Sequence, residues 1–511
     1  SDTEVLVKSY IEYGQDCVHH FNGMWAFAIW DERTNSLFLS RDRFAEKPLY
    51  YFKNEKGFYF GSEIKAIQAM LYEKLQINYN HIKRYLVYGY KFLYKNSDTF
   101  FHGIKEIEFA SNATIDSNMN FIESKYWFPN EDVANISLRD SIEGTRHHLL
   151  NSVRMRLRAD VPIAFCLSGG IDSASLASIA KKVFDYDVTT FSIIDPDQRY
   201  NESDNIKATI NDLQCDHFLI DLKFDKMLER LENLVEYHDG PVATISYLVH
   251  SLLSERISSS GFKISVSGTA ADELFTGYYD HFNLHLYEMR NHPDFQLFLD
   301  NWYKYTGNYI RNPYLKNPKL YFEDQTIRNH NHLNSNEFVK FLKEDFSIPI
   351  NETEYNSSLL RNRMLNELFH EGTRVILHED DLNSMQYSIE NRSPYLDVDL
   401  FNFALAIPNQ FLIMDGYAKY ILREAVNGIL NDQVRLDRKK KGFNASIESV
   451  IDFKDKKTIE YILDDSKVYD IIEKDKIETL LTKKEYENSY KKFIFNFLNV
   501  KMFMEKKYEI L

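Results

Sequence analysis

The stretch Val161-Pro-Ile-Ala-Phe-Cys-Leu-Ser-Gly-Gly-Ile-Asp-Ser173 decides the fold. Val161 to Leu167 is apolar enough for a buried strand. A helix follows, with Leu176, Ile179, Ala180 and Val183 at i, i+3, i+4 and i+7 on one face. Between them, Ser168-Gly169-Gly170-Ile171-Asp172-Ser173 leaves room only for a turn. Its glycines let backbone approach a ligand closely. The helix start presents free N–H groups and the positive end of a dipole, which suits phosphate. Ser168 and Ser173 add hydroxyl donors. Asp172 would repel phosphate unless Mg²⁺ lay between them, so it reads as a metal ligand. No Gly-Lys-Ser/Thr follows, so this is not the Walker loop. The plainer alternative is a glycine turn with a Ser/Asp cap. Position at the carboxyl end of a strand in an open α/β sheet favours a site.

Working outward, a long amphipathic helix, Ser137 to Leu157, precedes this strand. Val188 to Ile194 reads as the next strand, then another helix, then His217 to Asp221. Alternating strand and helix indicate a parallel α/β sheet. The strand Phe262 to Val266 runs into Ser267-Gly-Thr-Ala-Ala-Asp-Glu-Leu-Phe-Thr-Gly277 with the same logic: strand end, glycine, then carboxylates opening a helix. Asp172 and Asp272 could both reach one magnesium held by a pyrophosphate; an ordinary capped helix is the alternative. Beyond His285 the chain is mostly helical.

Upstream, the pattern is antiparallel and sheet-rich to about Pro129. Thr3 to Tyr13 has helical spacing. Gly23 to Trp30 and Ser36 to Ser40 read as strands around a turn at 31–35. Leu49 to Phe52 and Gly57 to Phe60 read as a hairpin. The expected linker is Trp127 to Ser137, which divides the chain into 1–130 and 131–511.

The chain has 511 residues, 44% hydrophobic and 27% charged, enough for two large cores. Its formal charge of -15 argues against a nucleic-acid partner, because no excess positive field draws in a polyanion. Cys17, Cys166 and Cys215 form neither a disulfide framework nor a metal-ligand pattern, so a reducing, cytoplasmic setting is expected. No segment offers the roughly 20 apolar residues of a membrane helix; Phe401 to Met414 is broken by Asn402, Pro408, Asn409 and Gln410. Ser1, Asp2, Thr3 and Glu4 do not begin a secretory leader, and a start at Ser rather than Met is expected of a processed, tagged or incomplete chain.

Two further segments carry polar clusters. Asp381-Leu-Asn-Ser-Met385 with Glu390-Asn-Arg-Ser-Pro-Tyr-Leu-Asp397 reads, by itself, as a helix end and a Pro turn. Arg438-Lys-Lys-Lys-Gly-Phe443 is by default a solvated face. It is also the most positive spot of an acidic chain, which makes an anion a plausible partner.

Together these segments resemble the asparagine synthetase family of ATP-pyrophosphatases. Ser168 to Ser173 is similar to its Ser-Gly-Gly-x-Asp-Ser pyrophosphate loop, and Ser267 to Gly277 to its Ser-Gly-x-Gly-x-Asp-Glu-x-Phe-x-Gly. Asp381 to Met385 and Glu390 to Asp397 are similar to Asp-Arg-x-Ser-Met and Glu-x-Arg-x-Pro-Phe-Leu-Asp. Lys419-Tyr-Ile-Leu-Arg423 and Lys440-Lys-Gly-Phe443 match as well, in order and spacing across 131–511. Asn22 to Asp31, Arg41 to Tyr51 and Gly61 to Ala66 resemble the family's glutaminase domain, and Ser1-Asp-Thr-Glu-Val-Leu6 a segment whose Asp holds the glutamine amino group. The resemblance implies an α/β chain: an incomplete N-terminal Ntn-type α+β sandwich, then a parallel-sheet PP-loop domain with a helical C-terminal extension. The family's Cys nucleophile, Arg clamp and Asn-Gly oxyanion segment are expected upstream of Ser1, or on a partner chain.

The implied chemistry is ATP-dependent amide formation. A small-molecule carboxylate attacks the α-phosphorus, pyrophosphate leaves, and ammonia from glutamine displaces AMP. ATP and Mg²⁺ are the implied cofactors, and a homodimer is a candidate assembly. The resemblance puts Leu167, Ile193 and Gly268 at adenine. It puts Ser168, Gly169, Gly170, Asp172, Ser173 and Ser267 at the phosphates, with Asp172 and Asp272 on the metal. Lys440, or alternatively Lys441, would neutralise the phosphates in the transition state. Glu390 falls where a carboxylate meets the reacting amine, and Asp2 would bind glutamine. The sequence departs from the pattern at Thr269-Ala270 for x-Gly, Leu382 for Arg and Ala45 for Gly. Because residue 269 borders the acceptor pocket in asparagine-making members, the acceptor is open: aspartate, a sugar uronic acid, or an amine or ring-closing partner. Another PP-loop enzyme, such as a tRNA-modifying sulfur or amide transferase, and a silent scaffold are the rival classes. The acidic balance opposes the first, and the presence of Asp172, Asp272 and Lys440 the second.

Overall fold

The computed structural model describes residues 1–511 except 130–131, 195–201, 223–225, 333, 440–446, 450, 454, 484–485 and 507–511. Lys440 and Lys441 therefore lie outside the described residues.

The N-terminal region builds two antiparallel sheets. Strands β1 (Ala26–Asp31), β2 (Ser36–Arg41), β3 (Tyr50–Asn54), β4 (Gly57–Gly61), β5 (Lys105–Glu106), β6 (Ser111–Ile115) and β7 (Phe121–Lys125) follow in chain order. They pair as β1-β2-β6-β7 and as β4-β3-β5. Alternation along β2 sends Phe38 and Leu39 to opposite faces. Leu39 packs with Leu49, Ile107, Ala113 and Ile115 between the sheets, and Tyr51 stacks on Phe121 at 4.7 Å. Phe38 meets Tyr10 of the helix Asp2–Tyr13 on the outer face, ring centroids 5.5 Å apart.

The second region holds a five-stranded sheet. Its strands are β8 (Ile163–Cys166), β9 (Thr189–Ile194), β10 (Asp216–Asp221), β11 (Ile264–Val266) and β12 (Glu390–Arg392). The order is β10-β9-β8-β11-β12, and every pair is parallel. From β8 the chain moves outward to β9 and β10, then returns to place β11 on the other side of β8. The boundary between β8 and β11 is thus the topological switch point, where crevices form at the carboxyl ends of open α/β sheets.

The expected helix before β8 spans Leu138–Arg156, with Ser137 capping it in a reciprocal box with Asp140. The helix after β8 spans Ile171–Phe184. It is buried nearly all round from Ser173 to Ala180 rather than on one face, while Val183 is 41% exposed where the last turn leaves the sheet. β12 is a strand where the sequence read as a helix end and a turn. Its three polar residues have no strand periodicity of their own, and backbone pairing with β11 holds them (Ile264 opposite Glu390, Val266 opposite Arg392). No helix of the described residues is long and apolar enough to cross a membrane.

The two regions meet along the helices Leu359–His370 and Gly372–Met385. Phe109 stacks on Phe369 at 4.2 Å. Arg41 and Arg374 both pair with Glu106, and Lys47 Nζ meets Asp381 Oδ1 at 2.9 Å. Asp42 accepts from the backbone N–H groups of Phe44, Glu46 and Lys47, which fixes the 42–47 turn. That turn buries Glu46. Burial first, and then the Asp42 charge, push its carboxyl from the ordinary 4.5 up to about 8.

An acid raised in the folded state holds its proton longer than in the unfolded chain. Its unfavourable contribution is therefore absent below about pH 4.5 and grows as pH rises toward 8. Glu46→Gln should leave stability nearly unchanged at pH 4 and raise it by at least about 1 kcal/mol at pH 9. Urea midpoints at the two pH values check this; an equal effect at both would mean that Glu46 is ionised throughout.

Candidate functional site

Pairing of β11 with β8 (Ile264 opposite Ile163, Val266 opposite Phe165) makes the two following loops leave the sheet side by side. Both open into one cavity of about 1350 Å³ at the carboxyl ends of the strands. Leu167, Ser168, Asp172, Ser173, Ile193, Ser267, Gly268 and Asp272 line it. So do Thr269 and Ala270, the latter in place of the pattern's Gly.

The first loop is closed by its own serines. The Ser168 N–H donates to Ser173 Oγ at 3.1 Å, and the two hydroxyls lie 3.1 Å apart. Gly169 has φ +86°, and a Cβ there would sit 2.8 Å from Glu202 Cβ, so this position requires glycine. Gly170 precedes the helix Ile171–Phe184 as its N-cap with extended φ and ψ and no side-chain cap. No cap side chain competes there for the first-turn N–H groups, the end of a helix that suits an anion. Gly169 and Gly170 shape the turn without lining the cavity. The buried Tyr395 braces it, its hydroxyl donating to the Asp172 carbonyl at 3.1 Å.

The second loop brings Asp272 up to Asp172, and its glycines make room. A Cβ on Gly268 would lie 2.8 Å from Asp172 Cβ and 2.9 Å from the Ser173 nitrogen. A Cβ on Gly277 would lie 1.6 Å from Asp272 Oδ1. Each glycine of the motif thus clears space for one carboxylate. Ala270 holds φ 75°, a left-handed conformation at the position where the family pattern has Gly.

Between the carboxylates sits Lys419. Its Nζ lies 2.6 Å from Asp172 Oδ1, 2.6 Å from Asp172 Oδ2 and 2.6 Å from Asp272 Oδ1. Burial alone would lower the lysine's pKa, but the two carboxylates outweigh it and hold it above the ordinary value. The sequence flags Lys419 only as part of a matching segment; its place between the aspartates depends on three loops far apart in the chain.

A second charged group forms another wall. Glu273 is buried and accepts from the Tyr278 hydroxyl at 2.5 Å. Burial and then Asp272 raise its carboxyl pKa. His281 Nε2 lies 2.6 Å from Glu367 Oε2, and Asp280 Oδ2 lies 3.2 Å from His330 Nε2 and 3.4 Å from Arg363 Nη1. Asp280, His281 and Glu367 have their ligand atoms within 4.8 Å of one another, the closest approach to a three-ligand metal cluster among the described residues. Their imidazole and guanidinium partners balance them as an ion-pair network. Sequence reading missed this group, since Glu273 and Glu367 stand almost a hundred residues apart and no local spacing links them.

Two expected residues lie elsewhere. Glu390 opens β12, where its Oε1 accepts from Arg392 Nε at 2.7 Å and its side chain is 43% exposed. By strand alternation its neighbour Asn391 is the one that lines the cavity. Asp2 is exposed in the first turn of the N-terminal helix, away from the cavity.

Comparison with known proteins bears on this geometry. The asparagine synthase family model matches residues 144–505, and the glutamine amidotransferase domain model matches residues 1–127. The chain is 27% identical over 502 residues to asparagine synthetase (glutamine-hydrolysing) 1 of Bacillus subtilis, covering 94% of this chain and 77% of that protein. It is 30% identical over 464 residues to asparagine synthetase (glutamine-hydrolysing) 3 of the same organism, covering 86% and 70%. It is also 24% identical over 487 residues to amidase chry2 of Gibberella zeae, covering 85% and 71%.

The glycine assignment is open to a double-mutant cycle. Gly277→Ala should lower stability by about 1–3 kcal/mol, the range for overpacking a close contact. In an Asp272→Ala background that cost should shrink but persist, because the Asp272 Cα stays 2.7 Å from the new Cβ. Additive effects on the denaturation midpoint would mean that the Asp272 side chain is not what Gly277 accommodates.

Proposed function

The chain belongs to the asparagine synthase family, and we propose that its cavity binds ATP and a carboxylic acid, joins them as an acyl-adenylate, and lets ammonia displace AMP to form an amide. It is a carbon–nitrogen ligase of the glutamine-dependent type. The observation that carries the site assignment is the convergence of Asp172 and Asp272 on a single cation position at the β8–β11 switch point.

The residues fit Mg²⁺. Two carboxylates from separate strand ends face one point, beside a helix start that carries no side-chain cap. Bound there, Mg²⁺ would neutralise charge that develops on the departing pyrophosphate. The chain's own groups have the remaining roles. Ser168, which lines the cavity, would donate to the phosphates, and Gly169 and Gly170 keep their proposed place there on the ground of the matching segment. Leu167, Ile193 and Gly268 form the apolar edge for adenine. Lys440 is proposed, from its matching segment, to meet the phosphates as they separate, with Lys441 as the alternative. Glu390 and Asp2 keep their proposed places at the amine and at glutamine on the same ground.

Thr269 stands in the segment that the resemblance puts beside the acceptor, at a position the family pattern leaves open. It lines the cavity with its hydroxyl 2.9 Å from Ser267 Oγ. Aspartate is the first reading, since relatives named above are asparagine synthetases, and a non-aspartate acid such as a uronic acid is the alternative. ATP–pyrophosphate exchange across amino acids and uronic acids separates them, because only a true acceptor stimulates exchange.

Asp172→Ala and Asp272→Ala should each lower exchange at least about 100-fold, the scale for losing a main electrostatic contact in a transition state, with little change in circular dichroism. Near wild-type exchange in either variant would refute the shared metal site.

A further inference from the structure

Lys419 occupies the position at which the reading above puts a divalent cation. Its ammonium contacts three carboxylate oxygens at 2.6 Å, and its side chain is 6% exposed. The backbone is committed to this contact. Lys419 has φ 56° and ψ 34°, a left-handed conformation that a non-glycine residue adopts at a cost, and it does so at the N-cap of the helix Tyr420–Ala425. Its N–H reaches Thr276 Oγ1 at 3.4 Å, which ties it to the loop that carries Asp272. The nearby Arg423 does not substitute for it. Its Nε donates to the Ala418 carbonyl at 2.8 Å and its Nη1 to the Arg435 carbonyl.

Charge arithmetic shows the consequence. Two carboxylates with one ammonium carry a net charge of -1. A divalent ion entering beside Lys419 would share the same oxygens with a like charge at hydrogen-bond distance, which is unfavourable in a partly buried site. A divalent ion that arrives with the phosphates of a nucleotide brings its own negative groups, and these give the displaced ammonium a new partner. We propose that Lys419 is a resident counter-ion of the Asp172–Asp272 pair, which keeps the carboxylates together without nucleotide and prevents a divalent cation from binding alone. This rests on the proposed metal role of the two aspartates. Metal and nucleotide then enter together, and Lys419 passes from carboxylates to phosphate.

The test is direct binding of Mn²⁺ without nucleotide, followed by the free-ion electron paramagnetic resonance signal. The full chain should bind Mn²⁺ weakly. Lys419→Met, neutral and of similar length, should bind it at least tenfold more tightly, and Lys419→Arg should remain weak. Adding Asp172→Asn to Lys419→Met should abolish the gain. Equal Mn²⁺ affinity in the Met variant and the unsubstituted chain, or a gain that survives Asp172→Asn, would overturn the proposal. If Lys419→Met is poorly folded, its thermal midpoint decides: millimolar Mn²⁺ should restore it toward that of the unsubstituted chain, and failure to do so would make Lys419 a structural ion-pair partner only. No step uses ATP turnover. Absence of ATP–pyrophosphate exchange in the unsubstituted chain, with the Mn²⁺ behaviour as expected, would therefore count against the proposed reaction, and exchange with unchanged Mn²⁺ affinity in Lys419→Met against the counter-ion.

Discussion

Two carboxylates at the partly buried ends of adjacent strands do not both stay ionised without a cation between them. That constraint organises the chain's second region. β8 and β11 are neighbours because β9 and β10 lie on one side of β8 and the return connection lies on the other. Adjacent strand ends put Asp172 and Asp272 at one point, and Gly268 and Gly277 let them approach. Lys419 then supplies the charge, from a third segment that must reach the same place. Removing one partner of such a group leaves an uncompensated buried charge, which is far costlier than the net worth of the ion pair. The site therefore depends on strand order, loop glycines and a remote lysine all at once.

The same helix that supports the cavity also carries the N-terminal sheets. Along Gly372–Met385, Arg374 pairs with Glu106 and Asp381 with Lys47, both across the interface. On the cavity side Asp380 meets His250 at 3.2 Å, and Ser384 donates to Asn391 at 3.0 Å. Buried ion pairs add little net stability over apolar contacts of the same shape, but they penalise any other docking geometry strongly. Arg41, Arg374 and Glu106 thus fix how the antiparallel sheets sit on the helix, while the stacked Phe109 and Phe369 supply apolar burial. A shift of the N-terminal sheets would be felt at Asp380 and Ser384, which line the cavity.

The sequence made the alternation of strand and helix from Ile163 to Val266 legible, because β8, β9 and β11 are largely buried runs, while the edge strand β10 alternates exposed and half-buried residues. The two glycine loops were legible because glycine between a strand and a helix has few structural explanations. β12 was not, since its polar residues are a strand only by pairing with β11. Nor was the buried network of Asp280, His281, Glu367 and Arg363, which tertiary packing assembles from separate helices. Lys419 lay within a recognisable segment, yet nothing local indicates that its ammonium would meet two aspartates about 150 and 250 residues away.

Two departures from the family pattern change the backbone's freedom. Ala45 and Ala270 stand where the pattern has Gly, and both hold left-handed backbone, with φ 55° and 75°. That conformation costs an L-residue about 1–2 kcal/mol. Both methyl groups are buried in the main core, which returns about 0.8 kcal/mol each. A less flexible unfolded chain returns about 0.4–1 kcal/mol more. The terms nearly cancel, so these replacements keep the family's backbone path with little change in stability. Thr269 differs in kind, because its side chain faces the cavity and alters what the wall offers a ligand without altering the turn that presents it. The backbone substitutions therefore keep the turns of the pattern, and residue 269 varies only the surface that the cavity wall presents.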